Sequence, residues 1–172
     1  MPRVFVAVGS NVAPEENVTR ALRLLDGEIG ILGVSTFYRT PALDRPEDPP
    51  YVNGVIEVGD SLGPQDLKRL LQQTEQVVGR ERVADRYASR TMDLDLLIYG
   101  DQVSTSGGLT LPHPDIRERP FVAIPLLELA PDLTLPDSKT ELRSVAGSLP
   151  SYPMEPLRDF TSRLRTEVRH GP

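Results

Sequence analysis

The chain has 172 residues, a net charge of −6 and no cysteine. That length suits one domain with a core of ordinary size. The acidity argues against a nucleic-acid partner, and the missing thiols exclude a disulfide framework, a cysteine nucleophile and a cysteine zinc site. With 38% hydrophobic and 26% charged residues, no run of about 18 apolar residues and no charged-then-apolar leader, a globular cytoplasmic protein is expected, with no membrane partner.

Arg3–Val8 is a β-branched apolar run that predicts a buried strand, closed by Gly9-Ser10-Asn11. A helix follows, with Pro14 near its first position and Glu15 and Glu16 where negative charge suits the helix dipole. Val18, Ala21, Leu22 and Leu25 recur in it at helical spacing. Ile31–Tyr38 and Tyr51–Asp60 predict two further strands. A second helix runs from about Pro64 to Val78, with Leu67, Leu70, Leu71, Thr74 and Val78 on one face. Thr91–Tyr99 is the fourth strand, ended by Gly100-Asp101.

This order of strand, helix, strand, strand, helix, strand predicts an α+β, ferredoxin-like sheet, mainly antiparallel, with helices packed on one face. Phe121–Ala130 and Ser138–Leu149 predict additional C-terminal helices, so residues 1–149 form the expected domain. Residues 150–172 form an expected appendage, in which Pro150, Pro153 and Pro156 precede a basic amphipathic stretch, Leu157–Val168. Two segments, Arg39–Pro50 and Gly79–Arg90, are long and lack periodicity, and loops of that kind in compact domains commonly carry function.

The chemistry concentrates at Asp93-Leu94-Asp95-Leu96. Alternation along a strand places both aspartates on one face, with Leu94, Leu96 and Ile98 directed into the core. Their α-carbons lie roughly 6.6 Å apart at strand rise, a separation from which two carboxylates converge on closely spaced cations. Magnesium takes oxygen ligands, keeps several waters and is commonly held by carboxylates together with substrate phosphates. Alone, such a pair is more often a solvated or salt-bridged strand face than a metal site, but aspartate is disfavoured within strands. Positive donors stand close by: Arg82, Arg86 and Arg90 before the strand, His113 and Arg119 after it. Arginine forks match phosphate oxygens, and phosphoryl-type transfer relies on positioning and charge stabilisation, without a covalent nucleophile.

The run Arg86-Tyr87-Ala88-Ser89-Arg90-Thr91-Met92-Asp93-Leu94-Asp95-Leu96-Leu97 resembles the signature of the 6-hydroxymethyl-7,8-dihydropterin pyrophosphokinase family. Further landmarks fall in the family's order: Val8-Gly9-Ser10-Asn11, Phe37-Tyr38-Arg39-Thr40-Pro41, Tyr51-Val52-Asn53, Leu111-Pro112-His113-Pro114, and Arg119-Pro120-Phe121 with Ile124-Pro125-Leu126. The resemblance covers residues 3–137. It implies that ATP gives its terminal diphosphate to the hydroxymethyl group of 6-hydroxymethyl-7,8-dihydropterin, releasing AMP, in folate biosynthesis. It implies two magnesium ions positioned by Asp93 and Asp95, with Arg82, Arg90 and His113 sharing the catalytic set. Thr40, Pro41, Leu43, Tyr51, Asn53 and Phe121 would form the pterin pocket. Aromatic faces at Tyr51 and Phe121 suit a flat ring, and the Asn53 amide offers a donor and an acceptor to its edge. Gln72, Glu75, Arg82, Arg90, Leu96, Thr110, His113 and Arg119 would line the ATP side, and a monomer is expected.

Two places within the matched region depart from the family pattern. Tyr87-Ala88-Ser89-Arg90 stands where the commonest signature has Trp-Gly-Pro-Arg, and Gly108 stands where several relatives carry a basic residue near the nucleotide. The first departure leaves open a relative acting on another pterin alcohol. A ferredoxin-like module that binds RNA is the other alternative. Such modules stack bases on strand aromatics, whereas this chain is acidic, has 5% aromatic residues and displays carboxylates on its most conspicuous strand.

Overall fold

A computed structural model describes residues 2–42, 47–79 and 92–168. Its central strand is β1 (Val4–Ser10), flanked by β4 (Tyr51–Val58) and β5 (Asp93–Tyr99), both antiparallel to it. β2 (Ile31–Val34) and β3 (Tyr38–Thr40) both pair with β4 on its other side, and β6 (Glu155–Pro156) adds to β3. The order β5-β1-β4-β3-β6 is that of the expected α+β antiparallel sheet.

α1 (Pro14–Ile29) and α2 (Pro64–Gly79) follow the apolar periodicity: Val18, Ala21, Leu22 and Leu25 of the first, and Leu67, Leu71, Thr74 and Val78 of the second, are buried. They share one core with Val4, Val6 and Val8 of β1 and Leu94 and Leu96 of β5. The sheet is covered on both faces, not one. α3 (Asp115–Glu118), α4 (Pro120–Leu129) and α5 (Leu142–Ser148) enclose a second core with Phe5, Val55, Leu97, Ile116, Val122 and Leu126.

Two expectations about the strands change as well. Ile31–Tyr38 is not one strand, because the chain leaves the ladder at Ser35–Phe37. Buried Phe37 lies flat on β4, where a Cβ at Gly54 would meet its ring at 2.6 Å. The backbone groups freed by the break find side-chain partners. The Val55 amide donates to Ser35 Oγ, the Thr36 amide to the Glu128 carboxylate, and the Phe37 amide to Thr161 Oγ1 at 2.9 Å. The strand then resumes through Arg39 and Thr40, which were expected in the loop.

Ile98 is the second change. Val6 pairs with Leu96 but Phe5 pairs with Ile98, so β5 carries an extra residue, Leu97, at a bulge. Leu97 and Ile98 therefore both enter the second core, while Tyr99 returns to the first with Leu94 and Leu96.

α6 (Arg158–Glu167) packs on α1: Phe160, Leu164 and Val168 join the first core, and the Phe160 ring meets Phe37 edge-on at 6.0 Å. Arg23–Glu167 and Arg163–Glu15 pairs, at 2.8 and 2.7 Å, rim this contact. No helix among the described residues is long and apolar enough to cross a membrane. Truncating either apolar anchor should leave a cavity. Leu164→Ala is expected to cost about 2–5 kcal/mol and Phe160→Ala about 3–5 kcal/mol in urea unfolding. A cost near zero would show that α6 contributes nothing to the core.

Candidate active site

The bulge sets which residues share the face that α4 covers. Upstream of it, Asp93 and Asp95 lie on the same face as Phe5 and Val55 but beyond the helical cover, and both are partly exposed. Their β1 partners are small, Gly9 opposite Asp93 and Ala7 opposite Asp95, so the floor beside the carboxylates is open. Gly9 also pairs with Asn53 of β4, and a Cβ at Gly9 would stand 2.7 Å from Asn53 Oδ1. Only glycine lets the amide lie across the strand there. Asn53 Nδ2 donates to Thr40 Oγ1 at 2.8 Å, which fixes the amide's orientation. Asp93, Gly9, Asn53 and Tyr38 thus form one lateral row, with Asp93 and Asn53 two strand spacings, roughly 9–10 Å, apart at their α-carbons.

β5 is an edge strand, and a cavity of about 330 Å³ runs along its free edge. One wall is a single face of α2, made by Lys68, Gln72 and Glu75 at helical spacing. The Glu75 carboxylate accepts the Leu94 amide at 3.1 Å. The floor includes Asp93, Asp95 and Leu96, and the opposite wall includes Gly108, Thr110 and His113. The His113 amide donates to the Leu97 carbonyl at 2.9 Å, tying that wall to the bulge. Its Nδ1 accepts the Asp115 amide at 3.1 Å, so the neutral ring carries its proton on Nε2 as a donor. Asp95, His113 and Asp115 each offer an atom within 4.8 Å of the others, a hard-oxygen-rich set with one imidazole. Asp93 is outside this group, and the carboxylates of Asp95 and Asp115 fit the oxygen preference of magnesium.

Of the residues expected at the nucleotide, Gln72, Glu75, Leu96, Thr110 and His113 come together here with both aspartates. Arg119 stands just before α4 and is not among the described residues lining the cavity. Arg82 and Arg90, with the first half of the signature, lie outside the described residues, as does Leu43. On the pterin side, buried Thr40 pairs with Tyr51, Asn53 is half-buried, Pro41 follows β3, and Phe121 opens the first turn of α4.

The structure adds Lys68, whose ammonium donates to the Gly108 carbonyl and fills the space a side chain at 108 would take. A cation therefore stands where the sequence lacks its basic residue. Its spacing of four from Gln72 and seven from Glu75 was the available signal. Asp115, two residues after His113, is a second addition.

An acidic strand end opening into a polar cleft suits phosphoryl transfer, which relies on positioning and charge stabilisation. Residues 5–131 match the family model for 7,8-dihydro-6-hydroxymethylpterin-pyrophosphokinase (HPPK). The chain belongs to that family, the pyrophosphokinases of folate biosynthesis. It is 38% identical to the 2-amino-4-hydroxy-6-hydroxymethyldihydropteridine pyrophosphokinase of Haemophilus influenzae over 147 residues, 83% of this chain and 91% of that one. It is 41% identical to the Pseudomonas aeruginosa protein of the same name over 140 residues, 80% and 86% of the two chains. In fold it is similar to a solved HPPK-DHPS structure in complex with substrates, with a TM-score of 0.68 at 11% identity. That match covers 86% of this chain but 43% of the larger one.

Arg117 of α3 holds Asp137 at 2.7 Å and keeps its carboxyl below the ordinary value of 3.8, chiefly through this hydrogen bond. A depressed folded-state pKa contributes stability above the unfolded value and loses it as pH falls through the folded one. Asp137→Asn should therefore lower stability at neutral pH by about 0.2–1 kcal/mol, since the pair is partly exposed. The difference from wild type should vanish below the ordinary carboxylate range in acid unfolding curves. A difference that persists there would assign the effect to packing.

Proposed function

We propose that Asp93 and Asp95 hold the magnesium of an ATP complex in the β5-edge cavity, and that the pterin alcohol lies beside it over the Gly9–Asn53 row. The observation that carries this reading is the convergence of both aspartates, His113 and the Lys68–Gln72–Glu75 face on one cavity, a short sheet distance from Asn53. When bound, magnesium neutralises charge on the phosphate oxygens and orients them.

The chain's own groups supply the rest. Nε2–H of His113 and the Lys68 ammonium donate to phosphate oxygens, while Gln72, Thr110 and Leu96 hold the nucleoside part. Arg82, Arg90 and Arg119 add counter-charge to the diphosphate, their forks matching its oxygens. The Asn53 amide, oriented by Thr40, reads the pterin edge, and Tyr51 and Phe121 bracket its faces, with Pro41 and Leu43 completing the pocket. The pterin hydroxyl oxygen then attacks the β-phosphorus, releasing its proton to solvent, as the bond from that phosphorus to the AMP oxygen breaks. Two magnesium ions bound with ATP, on a monomeric enzyme, complete this reading. Use of ATP fits the cytoplasmic location expected from the sequence.

Titration calorimetry with a nonhydrolysable ATP analogue tests the metal assignment. Wild type should bind tightly only with magnesium, and Asp95→Ala should lose roughly 100-fold, the upper end of what even supporting groups around a metal contribute. Equal, metal-independent binding by both proteins would refute it. Lys68→Ala should raise KM for ATP by about tenfold, the loss of one charge-assisted contact, and leave KM for the pterin unchanged. Equal rises in both constants would remove Lys68 from the nucleotide side.

A further inference from the structure

Residues 149–157 run from α5 to α6 along the outer side of β3. Pro156 and Glu155 pair with Tyr38 and Arg39, and the Arg39 guanidinium meets Glu155 at 3.1 Å. The Leu157 amide donates to the Phe37 carbonyl at 2.8 Å, and α6 then anchors the segment in the core. Within it, half-buried Tyr152 reaches two elements at once. Its ring lies 5.9 Å from that of Phe121 at a tilt of 51°, and its hydroxyl donates to the Pro41 carbonyl at 2.7 Å.

Phe121 lies in the first turn of α4, whereas Pro41 belongs to the chain leaving β3, and the Tyr152 hydroxyl donates to the Pro41 carbonyl. Thr40, the residue before Pro41, orients Asn53. We propose that Tyr152 is a positioning residue for the pterin substrate, holding the Phe121 ring and the backbone at Pro41 at a spacing that admits a flat heterocycle. The proposal rests on the assignment of Thr40, Asn53, Tyr51 and Phe121 to the pterin pocket. Tyr152 acts through Phe121 and Pro41 by cutting the ordering that substrate binding would otherwise have to impose. Because Phe121 and Pro41 lie on the pterin side and Tyr152 is not among the described residues lining the β5-edge cavity, its effect is selective between the two substrates.

Steady-state kinetics and calorimetry on the full chain test this, with the pterin titrated in the presence of magnesium and a nonhydrolysable ATP analogue. Tyr152→Ala is expected to raise both KM and Kd for the pterin about tenfold and to leave KM for ATP and the thermal midpoint close to wild type. Tyr152→Phe keeps the ring contact but loses the bond to the Pro41 carbonyl and should recover only part of the loss. Tyr152→Leu keeps bulk without a ring, should behave like the alanine variant, and serves if that variant folds poorly. An unchanged pterin Kd, an equal rise for both substrates, or tighter pterin binding from a ring that had filled the pocket would each overturn the proposal. Phe121→Ala separates it from its parent reading. A pterin Kd unmoved by that change would refute the pocket itself, whereas a large rise there with no effect at Tyr152 would refute the role of Tyr152 alone.

Discussion

Opposite Phe5, β5 carries one residue more than its partner strand, and the phase this sets governs both sides of the sheet. Before the bulge, Leu94 and Leu96 face α2 while Asp93 and Asp95 share the α4 side; after it, Tyr99 rejoins the leucines. Leu97 and Ile98 together fill the α4 core, against Phe5 and Val55. A single sheet face thus passes from an apolar half under helix to a polar half open to ligand. The carboxylates stay partly exposed because α4 ends its cover short of them, and Gly9 and Ala7 raise no side chain beside them.

Much of this was legible in the sequence because local pattern and tertiary demand coincide. The alternation Asp93-Leu94-Asp95-Leu96 puts both carboxylates on one face, and the helical spacing of Val18 to Leu25 and of Leu67 to Val78 locates both long helices. The bulge left no trace, because Leu97 and Ile98 are both apolar and fit either core. The break at Ser35–Phe37 was equally hidden, since threonine and phenylalanine are good strand formers. It depends on Thr161 and Glu128, which lie 124 and 92 residues along the chain from the amides they accept.

The tail illustrates the same division. Its amphipathic periodicity announces a helix, but the partner of that helix is α1, at the opposite end of the chain, and the pairing of Glu155 and Pro156 with β3 has no local signature. Lys68 is similar in kind. Its place on the α2 face follows from spacing, while its meeting with Gly108 follows only from how residues 104–111 fold back, through the bridge between Ser104 and Leu111.

The hydrogen bond from the Leu94 amide to Glu75 has a consequence outside catalysis. β5 is an edge strand rich in leucine and isoleucine, the kind of segment that recruits strands from neighbouring molecules. Glu75 occupies the Leu94 donor, and the His113 amide occupies the Leu97 acceptor, so two rungs of the ladder an incoming strand would need are already taken. The partly exposed Glu75 carboxylate beside that edge also repels another acidic chain. The strand that must stay open to a small ligand is in this way closed to intermolecular β-sheet growth.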